Sequence, residues 1–163
     1  MKPEQCNAVG LLIARLALGV VMFAHGAQKL LGWFGGNGWS ASIEFMAETF
    51  GVPLLFAGLA ILTEFFGGLM ILSGAVTRLA ALALAIEQIV AAAVVQMPSG
   101  FFLNWTPTMS TAGHGVEMNL VLIGLAGALF FTGPGLYALD AKFDLDFVGR
   151  LLHMTKSAPA MAR

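Results

Sequence analysis

The chain has 163 residues, with 8 Lys or Arg, 9 Asp or Glu and 58% hydrophobic residues. Charged residues make up 10% of it, against about 25% in a soluble domain, and the mean hydropathy is +0.85. That leaves too little polar side chain to coat a water-soluble globule, and the length suits one domain in lipid. A formal net charge of −1 and a pI near 6.3 exclude a basic nucleic-acid binder. The single cysteine, Cys6, excludes an internal disulfide, a Cys-x-x-Cys redox pair and a cysteine-based zinc site.

A membrane span needs roughly 20 apolar residues to cross about 30 Å of hydrocarbon. The first candidate runs from Ala8 to Leu31 and is interrupted by Arg15, His25 and Lys29. It is too long, and carries Arg15 too centrally, to read well as a cleaved signal peptide. The second, Pro53 to Ala75, holds one charge, Glu64; the third, Leu79 to Met97, holds Glu87. The fourth starts near Glu117 and stays uncharged to Leu139, with Gly133-Pro134-Gly135 expected to stop the helix earlier.

The connections complete the expected architecture. Trp39, Ile43, Met46, Ala47 and Phe50 recur at helical spacing in the first long loop, which suits a short helix on the membrane surface. Phe143, Phe147, Val148, Leu151 and Leu152 make a second amphipathic helix over 141–154, and residues 155–163 read as a disordered tail. The prediction is an all-α fold: a transmembrane four-helix bundle over 1–140 with interfacial helices in loop one and the C-terminal segment. Lys2, Arg78, Lys142, Arg150, Lys156 and Arg163 lie on the side of both termini, while the connections 32–52 and 98–116 have no Lys or Arg. Both termini are therefore expected to be cytoplasmic.

Charges inside a bilayer cost several kcal/mol unless paired, so they are the candidate functional residues. Six qualify: Arg15, His25, Lys29, Glu64, Glu87 and Glu117. From a rise of about 1.5 Å per residue, Arg15, Glu87 and Glu64 fall at roughly 10, 12 and 16 Å from the inner face, with His25 and Glu117 near ~25 Å. The expectation is one cluster of Arg15 with Glu64 and Glu87, and another of His25 with Glu117. Three acids against Arg15 and an outward-reaching Lys29 leave excess negative charge, so Glu64 or Glu87 should carry a proton, or His25 a charge. Such a set suits proton handling, or a polar head such as a quinone carbonyl held by His25, Glu64 and Arg15. A buried network that only fixes helix register is the competing reading.

Gly19 and Gly26, on the polar face of the first helix, and Gly67 and Gly68, one turn past Glu64, allow close helix approach. No metal site is expected. His25 with His114 makes a weak haem pair, and His153 is too distant to take part. The nine methionines read as packing.

Arg15-Leu-Ala-Leu-Gly19 followed by His25-Gly26-Ala-Gln-Lys29-Leu30-Leu-Gly32 resembles the opening helix of the DoxX family of small prokaryotic membrane proteins. Glu64-Phe-Phe-Gly67-Gly68 with Leu72-Ser-Gly74, Thr77-Arg78, Glu117 and Gly133-Pro134-Gly135-Leu-Tyr137-Ala-Leu-Asp140 continue the likeness across about residues 10–140. The resemblance implies a four-helix membrane bundle with Arg15, His25, Lys29, Glu64 and Glu117 as its polar core. Glu87 joins them on depth alone.

The family takes its name from a subunit of an archaeal terminal quinol oxidase, related to thiosulfate:quinone oxidoreductase. That implies a quinone-associated or anchoring subunit of a redox complex in the prokaryotic inner membrane. Without a cysteine pair or a dinucleotide fingerprint, the chain would work with a redox partner protein rather than as a self-sufficient enzyme. A small-solute or proton-coupled transporter, which four helices would make a homodimer, is the alternative; a non-catalytic structural factor is another.

Overall fold

The computed structural model describes residues 2–104 and 113–152. They form α1 (Pro3–Leu31), α2 (Gly38–Phe50), α3 (Leu54–Ser73), α4 (Thr77–Ala91), α5 (Glu117–Thr132), α6 (Leu139–Phe143) and α7 (Phe147–Leu151). No strand occurs among the described residues. A π-helical turn, Ala92–Gln96, and a 3-10 turn, Met97–Ser99, extend α4.

Among the described residues three helices are long and apolar enough to cross a bilayer: α1, α3 and α4 with its extension, Thr77–Ser99. The fourth, α5, has 16 residues and reaches about 24 Å, short of the ~30 Å hydrocarbon core. Outward-facing side chains such as Ile13, Val20, Leu55, Phe66, Ile86, Ile89, Val121 and Phe131 are exposed, an apolar belt that water would not tolerate at this density. Leu18, Met22, Ile71, Leu84, Leu122, Ala126 and Leu129 fill the centre of the bundle.

α1 and α3 run antiparallel and nearly touch. A Cβ added at Gly26 would meet the backbone of Phe65 and Glu64, and one at Gly68 would meet the backbone of Phe23. With no hydrophobic drive between helices in lipid, association depends on such contact between small residues. The rings of Phe23 and Phe65, 5.3 Å apart between centroids, close over the crossing. α4 follows α3 by a tight turn and carries α5 on its other side, with Asn119 meeting Gln88 at one end and Arg78 meeting the Phe130 and Phe131 carbonyls at the other.

The first-loop helix forms as expected: α2 lies across α1 and α3, with the Trp39 ring over Gly58. The C-terminal segment differs from the single helix expected over 141–154. It breaks into α6 and α7 at Asp144, which has a left-handed backbone (φ 54). Asp146 starts α7 by accepting from Gly149 N at 2.9 Å and binds Arg78 Nε at 3.0 Å. Two five-residue pieces thereby follow the bundle end instead of lying along one axis. Positions 153 and 154, the tail at 155–163, and His153 lie outside the described residues.

Candidate functional site

The six ionisable residues separate into three places, and the expected pairings do not form. Arg15, 1% exposed, lies at the end of the bundle that carries the termini. Its Nε donates to Ile71 O (2.9 Å) and its Nη2 to Leu72 O (2.8 Å), while Nη1 donates to Tyr137 O (2.8 Å) and Pro134 O (3.3 Å). Arginine here adds side-chain donors to the carbonyls at the last turn of α3, where Ile71 O also accepts from Gly74 N and the helix dipole is negative. The buried Asp140 carboxylate holds the adjoining turn through Val76 N (2.5 Å) and Thr77 N (2.8 Å). Arg15 is thus a structural clamp and lies away from Glu64 and Glu87.

The reason is helix length. α1 has 29 residues and α3 has 20, and with Gly19 beside Leu72 near the end of α3, α1 overhangs α3 by about four turns on the terminus side. The crossing places Glu64 level with Gly26 and Leu72 level with Gly19. Depth counted from a shared inner face therefore put Arg15 and Glu64 too close together.

Glu64 instead pairs with Lys29, Nζ to Oε1 2.5 Å, with the Glu64 side chain 5% and the Lys29 side chain 31% exposed. Glu64 Oε2 is buried and has no hydrogen-bond partner among the described residues. This pair forms one wall of a cavity of about 630 Å³ at the loop end of the bundle, within the range of ligand sites. His25 and Gln28 of α1 and Glu87 and Gln88 of α4 line the cavity beside it. Phe45, Met46 and Phe50 of α2 supply an apolar wall, and Met118 and Leu122 of α5 another.

Glu87 is held by Gln88 Nε2 (2.8 Å), and Gln88 Oε1 accepts from Asn119 Nδ2 (2.9 Å). Gln88 and Asn119 are buried; sequence reasoning missed them because it ranked residues by charge, and amides inside apolar helices were the available signal. Gln96, in the π-helical turn, also lines the cavity with a buried Oε1 that has no hydrogen-bond partner among the described residues. Such turns often occur at functional sites.

Glu117 does not meet His25. Its Oε2 accepts from Leu103 N at 2.9 Å, which fixes the connection before α5, and the side chain stays outside the cavity. His114 does line the cavity, with Nδ1 accepting from Asn104 N at 3.2 Å. No group of three or more His, Cys, Asp or Glu that could hold a metal occurs among the described residues. The site is therefore amphipathic: ammonium, imidazole, amides and two carboxylates on one side, aromatic and aliphatic side chains on the other.

The family model described as DoxX matches residues 10–97, more than half of the chain. "Inner membrane protein YqjF" of Escherichia coli (strain K12) is 33% identical over 137 residues, covering 84% of this chain and 94% of that protein. "Putative oxidoreductase CatD" of Bacillus subtilis (strain 168) is 26% identical over 132 residues, covering 81% and 85%. No solved structure matches. With its spanning helices and these relatives, this is an integral protein of the prokaryotic inner membrane, and the chain belongs to the DoxX family.

Proposed function

We propose that this chain is a quinone-associated membrane subunit whose loop-end cavity receives a quinone headgroup. The observation that carries the reading is the Lys29–Glu64 pair, with one buried carboxylate oxygen left unpartnered, facing an aromatic wall across a cavity of ligand size. Quinone carbonyls accept hydrogen bonds, and Lys29 Nζ, the His25 imidazole and the Gln28 amide are donors in that cavity. Glu64 and Glu87 hold or release protons beside them. A quinone, when bound, supplies the uptake and release of two electrons and two protons.

Phe45 and Met118 line the cavity and are also exposed, which suits a ligand whose apolar tail stays in lipid. The Bacillus subtilis relative named as an oxidoreductase supports a redox setting, with electrons supplied or taken by a partner protein. In this reading α5 is a fourth span and both termini are cytoplasmic, as the Lys and Arg distribution favours.

Native mass spectrometry of the protein released gently from its own membrane tests this. A bound quinone, with or without a second polypeptide, supports it. A bare monomer or dimer carrying only phospholipid overturns it in favour of a proton-coupled small-solute transporter. That second reading has one observation behind it, two carboxylates from different helices facing one cavity.

A further inference from the structure

Between the cavity and the terminus end of the bundle, every main helix is apolar. Residues 16–24 of α1, 65–72 of α3, 79–86 of α4 and 120–131 of α5 contain no ionisable side chain. Eight residues of helix correspond to about 12 Å. The inward-facing members of these stretches include Leu18, Met22, Ile71, Leu84, Ala126 and Leu129, each 0 or 1% exposed. An interior packed in this way excludes water, and the layer offers no side chain able to relay a proton.

The other direction is different. Of the two cavity acids Glu64 is buried, 3% exposed, and touches Lys29, whose side chain is 31% exposed. His25 and His114 line the same cavity and are exposed. The titratable groups facing Glu64 and Glu87 are thus Lys29 and His25 from α1 and His114 from the connection before α5. The walls from α2 and α5 add Ser42, Phe45, Met46, Met118, Asn119 and Leu122, none of them titratable.

We infer that Glu64 and Glu87 form a proton-exchanging pair with access to one face of the membrane only, the face carrying α2 and the long loops. His25, His114 and Lys29 line the route, and the apolar layer closes the way to the termini. Any proton exchanged with a ligand in the cavity then enters or leaves on the loop face. The inference does not depend on the ligand being a quinone.

The test uses the full chain in sealed vesicles with independently set internal and external pH. Dicyclohexylcarbodiimide, which crosses membranes and modifies protonated carboxyl groups in apolar surroundings, is the probe. Adducts are assigned by peptide mass spectrometry, with Glu64→Gln and Glu87→Gln as references. The exposed Cys6, on the terminus face, reports orientation through a membrane-impermeant maleimide.

Adduct yield at Glu87, whose hydrogen-bond partner is the neutral Gln88, should change about fivefold or more as the loop-face pH moves from about 5.5 to about 8.5. It should stay within about twofold when only the terminus-face pH is moved. Yield that follows the terminus face, follows both faces equally, or responds to neither overturns the inference. Loss of quinone from native preparations would leave this result unchanged, so the two readings fail separately.

Discussion

Lys29 of α1 and Glu64 of α3 form an ion pair with Nζ 2.5 Å from Oε1, one helical turn from the point where Gly26 meets the α3 backbone. The close crossing and the pair depend on each other. A bulkier residue at position 26 would separate the helices and draw Lys29 away from the carboxylate, and an unpaired buried carboxylate would weaken the crossing. The site is therefore built into the close α1–α3 crossing.

Removing the cation should cost more than neutralising the acid. Lys29→Met leaves Glu64 buried and unpaired, and is expected to destabilise the fold by about 2 kcal/mol, a value reduced for the partial exposure of Lys29. Glu64→Gln keeps an acceptor for the ammonium and should cost about 1 kcal/mol. Unfolding of both variants in the same detergent, followed by circular dichroism, gives the comparison. Equal losses would mean that the pair contributes little through its charge.

Close approach makes its own prediction. Gly26→Ala and Gly68→Ala each put a methyl group into facing backbone and should destabilise by about 2 kcal/mol. Gly124→Ala adds its methyl group where nothing lies within 4 Å, so it should be neutral or slightly stabilising. Thermal midpoints of the three variants order these effects. A Gly26→Ala protein as stable as Gly124→Ala would contradict the α1–α3 crossing.

The terminus-end clamp should matter for stability and not for ligand binding. Arg15→Ala leaves the carbonyls of Leu72 and Tyr137 without their side-chain donor, removes one of two donors to Ile71 O, and leaves the buried Asp140 without a nearby cation. A loss of about 3 kcal/mol is expected, and Asp140→Ala should cost a similar amount by freeing Val76 N and Thr77 N. Val76 holds a left-handed backbone (φ 52), a conformation that is costly for a β-branched residue. Asp140 makes that turn tenable. Denaturant titration of the folded helical signal checks both variants.

The helices were readable because lipid imposes long apolar runs, and Gly26 and Gly68 were readable as contact points because small residues carry helix association in membranes. Which ions meet was not readable. Pairing depends on helix register, and register follows from how far α1 extends past α3, which composition does not encode. Lys29 reaches back one turn to Glu64 rather than outward, and Arg15 binds carbonyls rather than an acid. Glu117 proved to be a loop anchor through Leu103 N. Gln88 and Asn119 carry no charge to mark them in the sequence, and only their mutual hydrogen bond reveals their place at the site.

In the proposed function the loop-end cavity binds a quinone headgroup through the Lys29–Glu64 wall. The most direct measurement is equilibrium binding of a short-tailed benzoquinone or naphthoquinone to the protein in lipid nanodiscs, by calorimetry or tryptophan quenching. Saturable binding is expected for the wild type, weakened about tenfold, or about 1.4 kcal/mol, by His25→Ala and by Glu64→Gln. Arg15→Lys, folded under the same conditions, should bind as the wild type does. No saturable binding, or binding indifferent to both cavity substitutions, would contradict the claim.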